Sequence, residues 1–433
     1  MKPLALILFS CALSAVAGFG QSTNVAMFLT LTNAEKIALQ FHPQIKEANY
    51  LLLAAQEAVK ETRSGFFPTV NLYADAVGAN TEGTRITAGG LNNPSVYDRG
   101  AGGGQLTQLI TDFGRTANLT ASSKYQAQAE SQNANVTREQ VLLQVDAGYF
   151  DALEAQAVLR VSQQTLDTRR TLLDQITALA TNKLRSALDV SFAQVELQQA
   201  QLLIEKSQND ADAAMATLSA ALGYSDYHKF QLADQSPTTN NNDGDISGMI
   251  QTALSQRPEI LSLRDDREAA LRFARSQRDS RLPKVEAIGV AGATPWRNDH
   301  DLKSDYFIGG IQASVPLFAG GLYLSKQREA ELKAQADAEL LRSVENNVIR
   351  DVRIAWLDLN DASQQLETTE ELAANAGDAF TLAQARYKSG ISSIVELSDA
   401  QLNLTQAQIA EANARYSVLI QQANLTYQIG TIQ

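Results

Sequence analysis

The chain has 433 residues, enough for two or three ordinary domains, and a formal charge of −12. An acidic surface argues against a nucleic-acid partner. A single cysteine, Cys11, excludes a disulfide framework, and no run after the N-terminus reaches 18 apolar residues, so membrane insertion would have to use β-strands.

Lys2 precedes a mostly apolar run from Leu4 to Leu13, and Ala15-Val16-Ala17 has the small-x-small pattern of a signal-peptidase site. Residues 1–17 therefore read as a removed secretory signal. Leu8-Phe9-Ser10-Cys11 offers a lipoprotein alternative. It is weaker, because Phe9 is bulky for that motif and only a short apolar-rich run precedes the cysteine. Cleavage after residue 17 removes Lys2 and the cysteine, leaving 35 basic against 48 acidic residues.

From Leu31 to Phe67 the pattern is helical, with Ile37, Ala38, Ile45, Leu51, Leu52, Ala55 and Val59 near the 3.6 period. Pro43 interrupts it near its start and Pro68 ends it. Strand-like stretches follow at about 69–80 and 102–112, separated by a polar, Gly-rich loop over 81–101. Both are close to the ~9–11 residues of a tilted membrane strand. Residues 115–179 then lack proline and almost lack glycine, which predicts one helix about 100 Å long. Val141, Val145, Gly148, Ala152, Ala155 and Leu159 give it a heptad-like seam of small residues. A reversal at 184–186 leads into a second helix to about 222, completing a helical hairpin over about 115–222. Residues 223–245 are polar and read as an irregular linker, with 231–245 dividing a first unit (18–230) from a second (246–433).

The second unit repeats the first. Ala253-Leu254, Pro258-x-Ile260 and Pro283 match Ala38-Leu39, Pro43-x-Ile45 and Pro68 at an offset of 215. Strands at about 284–294 and 305–316 flank a loop. In the latter, Phe307, Ile311, Ala313 and Val315 alternate with Gly310, Gln312 and Ser314. Beyond the strands the offset is 207, and a helical hairpin covers about 322–428. Val348, Val352, Ala355, Leu359, Ala362 and Leu366 form its seam. Each half is domain-sized, so the chain is an internal duplication.

The tip of that hairpin runs from Arg386 to Gln401. Gly390 permits the reversal, Ser392 and Ser393 offer N-cap oxygens, and Glu396 and Asp399 share one face of the outgoing helix's first turn. In the first half Ser186 stands at the place of Ser393 and Asp189 at that of Glu396, but Ala180 and Lys183 replace Tyr387 and Gly390.

Two copies of helix–strand–loop–strand–long helix–tip–helix behind a secretory signal resemble the TolC-type outer-membrane efflux proteins. The resemblance covers essentially all of 31–430. It rests on Pro68 and Pro283, the strand exits Asp112-Phe113-Gly114-Arg115 and Val315-Pro316-Leu317-Phe318-Ala319-Gly320-Gly321, and the Arg-Tyr-x-x-Gly tip at 386–390. It implies an all-α coiled coil joined to a transmembrane β-barrel: a homotrimer with a shared 12-stranded barrel in the outer membrane and a helical tunnel in the periplasm. The implied function is a passive exit duct of a tripartite efflux or type I secretion system, without cofactor or enzymatic activity. Its partners would be a periplasmic adaptor (a membrane fusion protein), an inner-membrane pump and outer-membrane lipid. By the same resemblance Glu396 and Asp399 narrow the gated entrance and Tyr387 helps to hold it closed. Leu184, Arg185, Ser186, Gly390, Ile391, Ser392 and Ser393 would contact the adaptor. The family's latch arginine is not matched, since Ser392 stands there.

The plain reading of Glu396 and Asp399 is a solvated helix start favoured by the helix dipole. His42, His228 and His300 lack ligand spacing. Arg99-Gly100-Ala101-Gly102-Gly103-Gly104 lacks the Gly-Lys-Ser/Thr ending of a phosphate loop. Trp296, Tyr306 and Phe307 suit a membrane-interface belt. The alternative from another class is a secreted coiled-coil adhesin or stalk, which explains the heptads but not the duplicated strand pairs.

Overall fold

The computed structural model describes residues 27–78, 84–88, 91–96, 99–234, 245–297 and 303–432. The signal-like stretch 1–17 with Cys11, His300 and the polar run 236–244 lie outside the described residues. Strand β1 (Met27–Leu29) leads into helices α1 (Leu31–Phe41) and α2 (Pro43–Ser64). The sequence predicts a helical stretch interrupted at Pro43, and the structure has two helices that meet there. The residue before a proline is pushed out of the helical region, and His42 is extended (φ −62°, ψ 128°) between them.

Next come β2 (Thr69–Val77), β3 (Thr84–Ala88), β4 (Leu91–Val96), β5 (Arg99–Thr111), α3 (Arg115–Thr181), α4 (Ala187–Ala221) and β6 (Phe230–Leu232). The second part of the chain holds α5 (Ile246–Gln256), α6 (Pro258–Asp279), β7 (Lys284–Arg297), β8 (Asp305–Ser314), α7 (Leu322–Lys388) and α8 (Ile394–Ile429). Arg257 breaks α5 from α6 before Pro258, as His42 does before Pro43. Two stretches read as irregular hold strands instead. β3 and β4 pair antiparallel inside the 81–101 loop, and β6 pairs parallel with β1 inside the linker. Strands this short leave too little period to read.

Four strands make an open antiparallel sheet in the order β2-β5-β7-β8. Its register sorts the side chains by face. Val70, Leu72, Leu106, Ala291, Phe307 and Ile311 share one face, while Asn71, Tyr73, Gln105, Glu286, Tyr306 and Gln312 share the other, the more polar one, with Ile288, Val290 and Ile308 among them. Leu72 and Phe307 are more than four-fifths exposed in the single chain. The poor alternation of β2, β5 and β7 in sequence arises because Ala and Gly stand at many apolar-face positions. Of the aromatics expected in a belt, Tyr306 and Phe307 lie on opposite faces of the sheet.

Helices α3 and α7 each have 67 residues, a length of about 100 Å. Both α2 and α4 lie along α3, and they meet at the proline break. A Cβ on Gly223, just past α4, would stand 2.9 Å from the Cα of His42, so only glycine allows that junction. The end of α8 meets the α5–α6 break in the same way, where a Cβ on Gly430 would stand 3.0 Å from the Cα of Arg257. Helices α6 and α8 touch both α3 and α7, and so join the two parts of the chain.

The main core lies where these ends meet. Val141, Val145, Tyr149 and Ala152 pack with Leu218, Ala34 and Ala38. The Tyr149 hydroxyl lies 3.0 Å from the Leu29 carbonyl and 2.8 Å from that of Ala233, which ties β1 and the segment after β6 to α3. The seam residues Val348, Val352, Ala355, Leu359, Ala362 and Leu366 are all buried, as their heptad spacing predicts. Asp146 on α3 is buried, and Glu35 on α1 is the nearest charge acting on it. Burial, then the Glu35 charge, pushes the Asp146 carboxyl up to about 7.

Candidate functional site: the helical tips

Both hairpins turn by the same backbone device. At the first, Leu184 N–H donates to the Leu179 carbonyl and Lys183 N–H to that of Ala180. At the second, Ile391 N–H donates to Arg386 and Gly390 N–H to Tyr387. These are paired C-terminal caps that need a left-handed residue. Gly390 supplies it at φ +74°, and Lys183 does so at φ +61°.

The outgoing helices start differently. Ser186 and Asp189 form a complete capping box: the Asp189 N–H donates to the Ser186 Oγ, and the Ser186 N–H to the Asp189 carboxylate. Ser393 caps α8 by accepting from the Glu396 N–H at 3.3 Å, but the Glu396 carboxylate turns to Arg386 at 3.0 Å instead. That ion pair is about half exposed and adds little stability. Asp399 is exposed. The two carboxylates therefore stand on one solvent-facing side of α8, with Glu396 countered by a neighbour. Ser392 is half-buried, and its Oγ has no hydrogen-bond partner among the described residues.

Tyr387 is the centre of the packing. It is buried with Ile176, Ala193, Ala383, Ile394 and Leu397, a cluster drawing on α3, α4, α7 and α8. Its hydroxyl has no hydrogen-bond partner among the described residues. Burial pushes the phenol's pKa up. Arg185 makes the contact instead. Its guanidinium lies 4.3 Å from the centre of the Tyr387 ring, and Nη2 donates to the Tyr387 carbonyl at 2.7 Å. Arg185, expected at an adaptor surface, thus ties the first tip to the second.

Sequence reasoning missed Arg169. It sits on α3 two turns before the tip cluster and is buried. Its Nη2 pairs with Glu196 of α4 at 2.7 Å, and its Nη1 donates to Ser398 of α8 at 3.2 Å. One side chain so joins three helices beside the carboxylates. The signal was present: Ser162, Thr165, Arg169, Leu172 and Ile176 continue the seam in steps of 3, 4, 3 and 4. Around it, Ser162 bonds Ser207 at 2.8 Å and Thr165 bonds Thr405 at 3.2 Å. Leu184 and Ile391 occupy matching places at the two turns and are 69% and 70% exposed. Leu188 and Val395 extend these apolar tips.

The sequence profile of the outer membrane efflux proteins matches residues 36–224 and 249–431. The chain belongs to that family. It is 24% identical over 441 residues to the outer membrane protein TolC of Salmonella enteritidis, covering all of this chain and 87% of that protein. Vibrio cholerae TolC is 26% identical over 420 residues, with 92% and 91% covered. The solvent efflux pump outer membrane protein SrpC of Pseudomonas putida is 27% identical over 305 residues, covering 68% and 63%. Among solved structures, the Campylobacter jejuni CmeC outer membrane channel superposes with a TM-score of 0.80 at 16% identity, over 99% of this chain and 94% of that one. The open state of the Neisseria gonorrhoeae MtrE outer membrane channel gives 0.74 at 16%, over 93% and 91%. At those identities the structures support the fold alone. As an outer membrane efflux protein the chain acts in transport at the outer membrane, in a family of channels rather than enzymes.

Proposed function

We propose that three copies of this chain close into one exit duct. The observation that carries this reading is the open sheet with one apolar and one polar face. Four strands cannot close a barrel, and their edges would stay unpaired in lipid. Within the chain β5 pairs with β7, and α3 packs against α6 and α8. By the internal duplication the equivalent contact puts β8 beside β2 of the next copy, and α7 beside that copy's α2 and α4. Repeated three times, it gives twelve strands around a polar lumen and a helical tunnel on the periplasmic side. Nothing in the comparisons favours an adhesin or stalk.

Such a duct conducts passively and needs a gate. Glu396 and Asp399, three residues and about 4.5 Å apart along α8, become two rings of three carboxylates at the periplasmic entrance. Tyr387, clamped by Arg185, holds the tips together in place of the family's latch arginine, and Arg169 joins α3, α4 and α8 nearby. The exposed apolar ends, Leu184 and Ile391, with Ser186, Gly390, Ser392 and Ser393, present the docking surface for a periplasmic adaptor. An inner-membrane pump would supply cargo through that adaptor, for drug efflux or for type I secretion.

Single-channel recording on the reconstituted protein tests this. Carboxylate rings attract cations, so Glu396→Ala with Asp399→Ala should reduce cation preference and divalent block. Arg185→Ala should raise conductance, while Tyr387→Phe should leave it nearly unchanged, because the hydroxyl has no hydrogen-bond partner among the described residues. Unchanged selectivity in the double variant would return both carboxylates to a solvated helix start.

A further inference from the structure

Tyr73, Gly103, Gly292 and Tyr306 stand side by side across the four strands on the polar face of the sheet. The two central glycines have a steric purpose. A Cβ on Gly292 would lie 2.6 Å from the Tyr306 Cζ, and one on Gly103 would lie 2.8 Å from its Oη. The Tyr306 ring therefore lies down across β7 and reaches β5. It rests on a floor of backbone and remains 38% exposed. An aromatic ring held flat in this way offers a stacking surface to a planar solute.

A cavity of about 550 Å³ opens beside that ring on the same face, lined by Asp75, Arg99, Thr294, Arg297 and Lys303. Its size is that of a small-molecule site. Arg99 pairs with Asp75 at 3.0 Å. Arg297 donates from Nη1 to the Thr294 carbonyl at 3.1 Å, and its Nε has no hydrogen-bond partner among the described residues. Lys303 adds a third cation, and Asp305, bonded to Ser304, a second carboxylate. The wall thus places the Arg297 guanidinium, whose Nε is buried without a partner among the described residues, beside a flat aromatic surface, in a chain that is acidic as a whole.

We propose that this cavity is a transit site for planar aromatic carboxylates, the ring stacking on Tyr306 and the carboxylate meeting Arg297. Its place on the lumen wall rests on the duct reading above; its chemistry does not. A guanidinium lining the cavity suits a carboxylate, and charge-assisted bonds of this kind are the strong ones.

The test uses the full-length protein in nanodiscs, with 2-naphthoate as fluorescent probe and empty nanodiscs as blank. Saturable binding is expected, about tenfold tighter than for neutral 2-naphthalenemethanol, the size of one charge-assisted contact. Arg297→Ala should remove that preference and Tyr306→Ala should weaken both ligands. Tyr306→Phe should bind as the parent does, which guards against a folding defect. Equal affinity for the two probes, or unchanged naphthoate binding in Arg297→Ala and Tyr306→Ala, would overturn the proposal. The same samples in planar bilayers report conduction separately: intact binding without a conducting pore would contradict the duct and leave the site standing.

Discussion

Lys183 holds at φ +61° the backbone position that Gly390 fills in the other tip. A side chain there costs roughly 1 kcal/mol or more relative to glycine. Lys183→Gly should therefore raise stability by about 1 kcal/mol in urea or thermal unfolding; a lower midpoint would show that Lys183 makes a compensating contact. The missing glycine is also why the first tip is harder to read from sequence than the second. A different residue-scale effect is invisible in sequence altogether. Glu35 and Asp146 look like ordinary surface acids until α1 docks on α3 and buries them together. Burial raises both carboxyls, Asp146 to about 7, and it also raises Glu139 and Glu154 to about 7. A folded pKa above the unfolded value near 4 means that stability is fully present at low pH and lost as pH rises through about 7. The melting temperature should fall from about pH 5 to pH 7 and level off above, and Asp146→Asn should flatten that slope. An unchanged slope in the variant would remove Asp146 as its source.

At the scale of elements, the long helices were legible because heptad spacing persists for many turns. Val348, Val352, Ala355, Leu359, Ala362 and Leu366 are buried in the order their spacing gives. The interruption at Pro43 was legible from the proline itself, but that it and its counterpart before Pro258 each receive the end of another helix needed the structure. The strands were placed by the prolines before them, but their faces needed the register, because glycine and alanine carry little polarity signal. At the tips, the carboxylates and Tyr387 were found through the motif, whereas Arg185 clamping Tyr387 and Arg169 joining three helices depend on side-chain direction. Small residues in the seam make a testable element-scale claim. Ala152 and Ala355 are 0% and 1% exposed. Overpacking costs about 1–3 kcal/mol, so Ala152→Leu and Ala355→Leu should each lower the melting temperature and the yield of assembled protein. Parental values for both would contradict close helix contact at these positions.

For the whole molecule, the account stands or falls on β8 of one copy pairing with β2 of the next. The register inside the chain fixes what that pairing must be. Leu106 of β5 faces Gly289 of β7, and the repeat offsets of 207 and 215 carry this pair to Ala313 and Ala74. Within one chain β2 and β8 are the two edges of the four-stranded sheet. Three strand spacings separate them, about 14 Å, twice what a disulfide can bridge. Across a paired interface the same residues come within roughly 4.5–5.5 Å, inside disulfide range. The most direct measurement is oxidative cross-linking of an Ala74→Cys, Ala313→Cys variant in a Cys11→Ala background, in outer membranes, read on a non-reducing denaturing gel. Covalent dimers and trimers should form, with nothing larger, and each single-cysteine variant should stay monomeric. Monomers alone in the double variant, or a ladder continuing past three, would contradict a closed trimer.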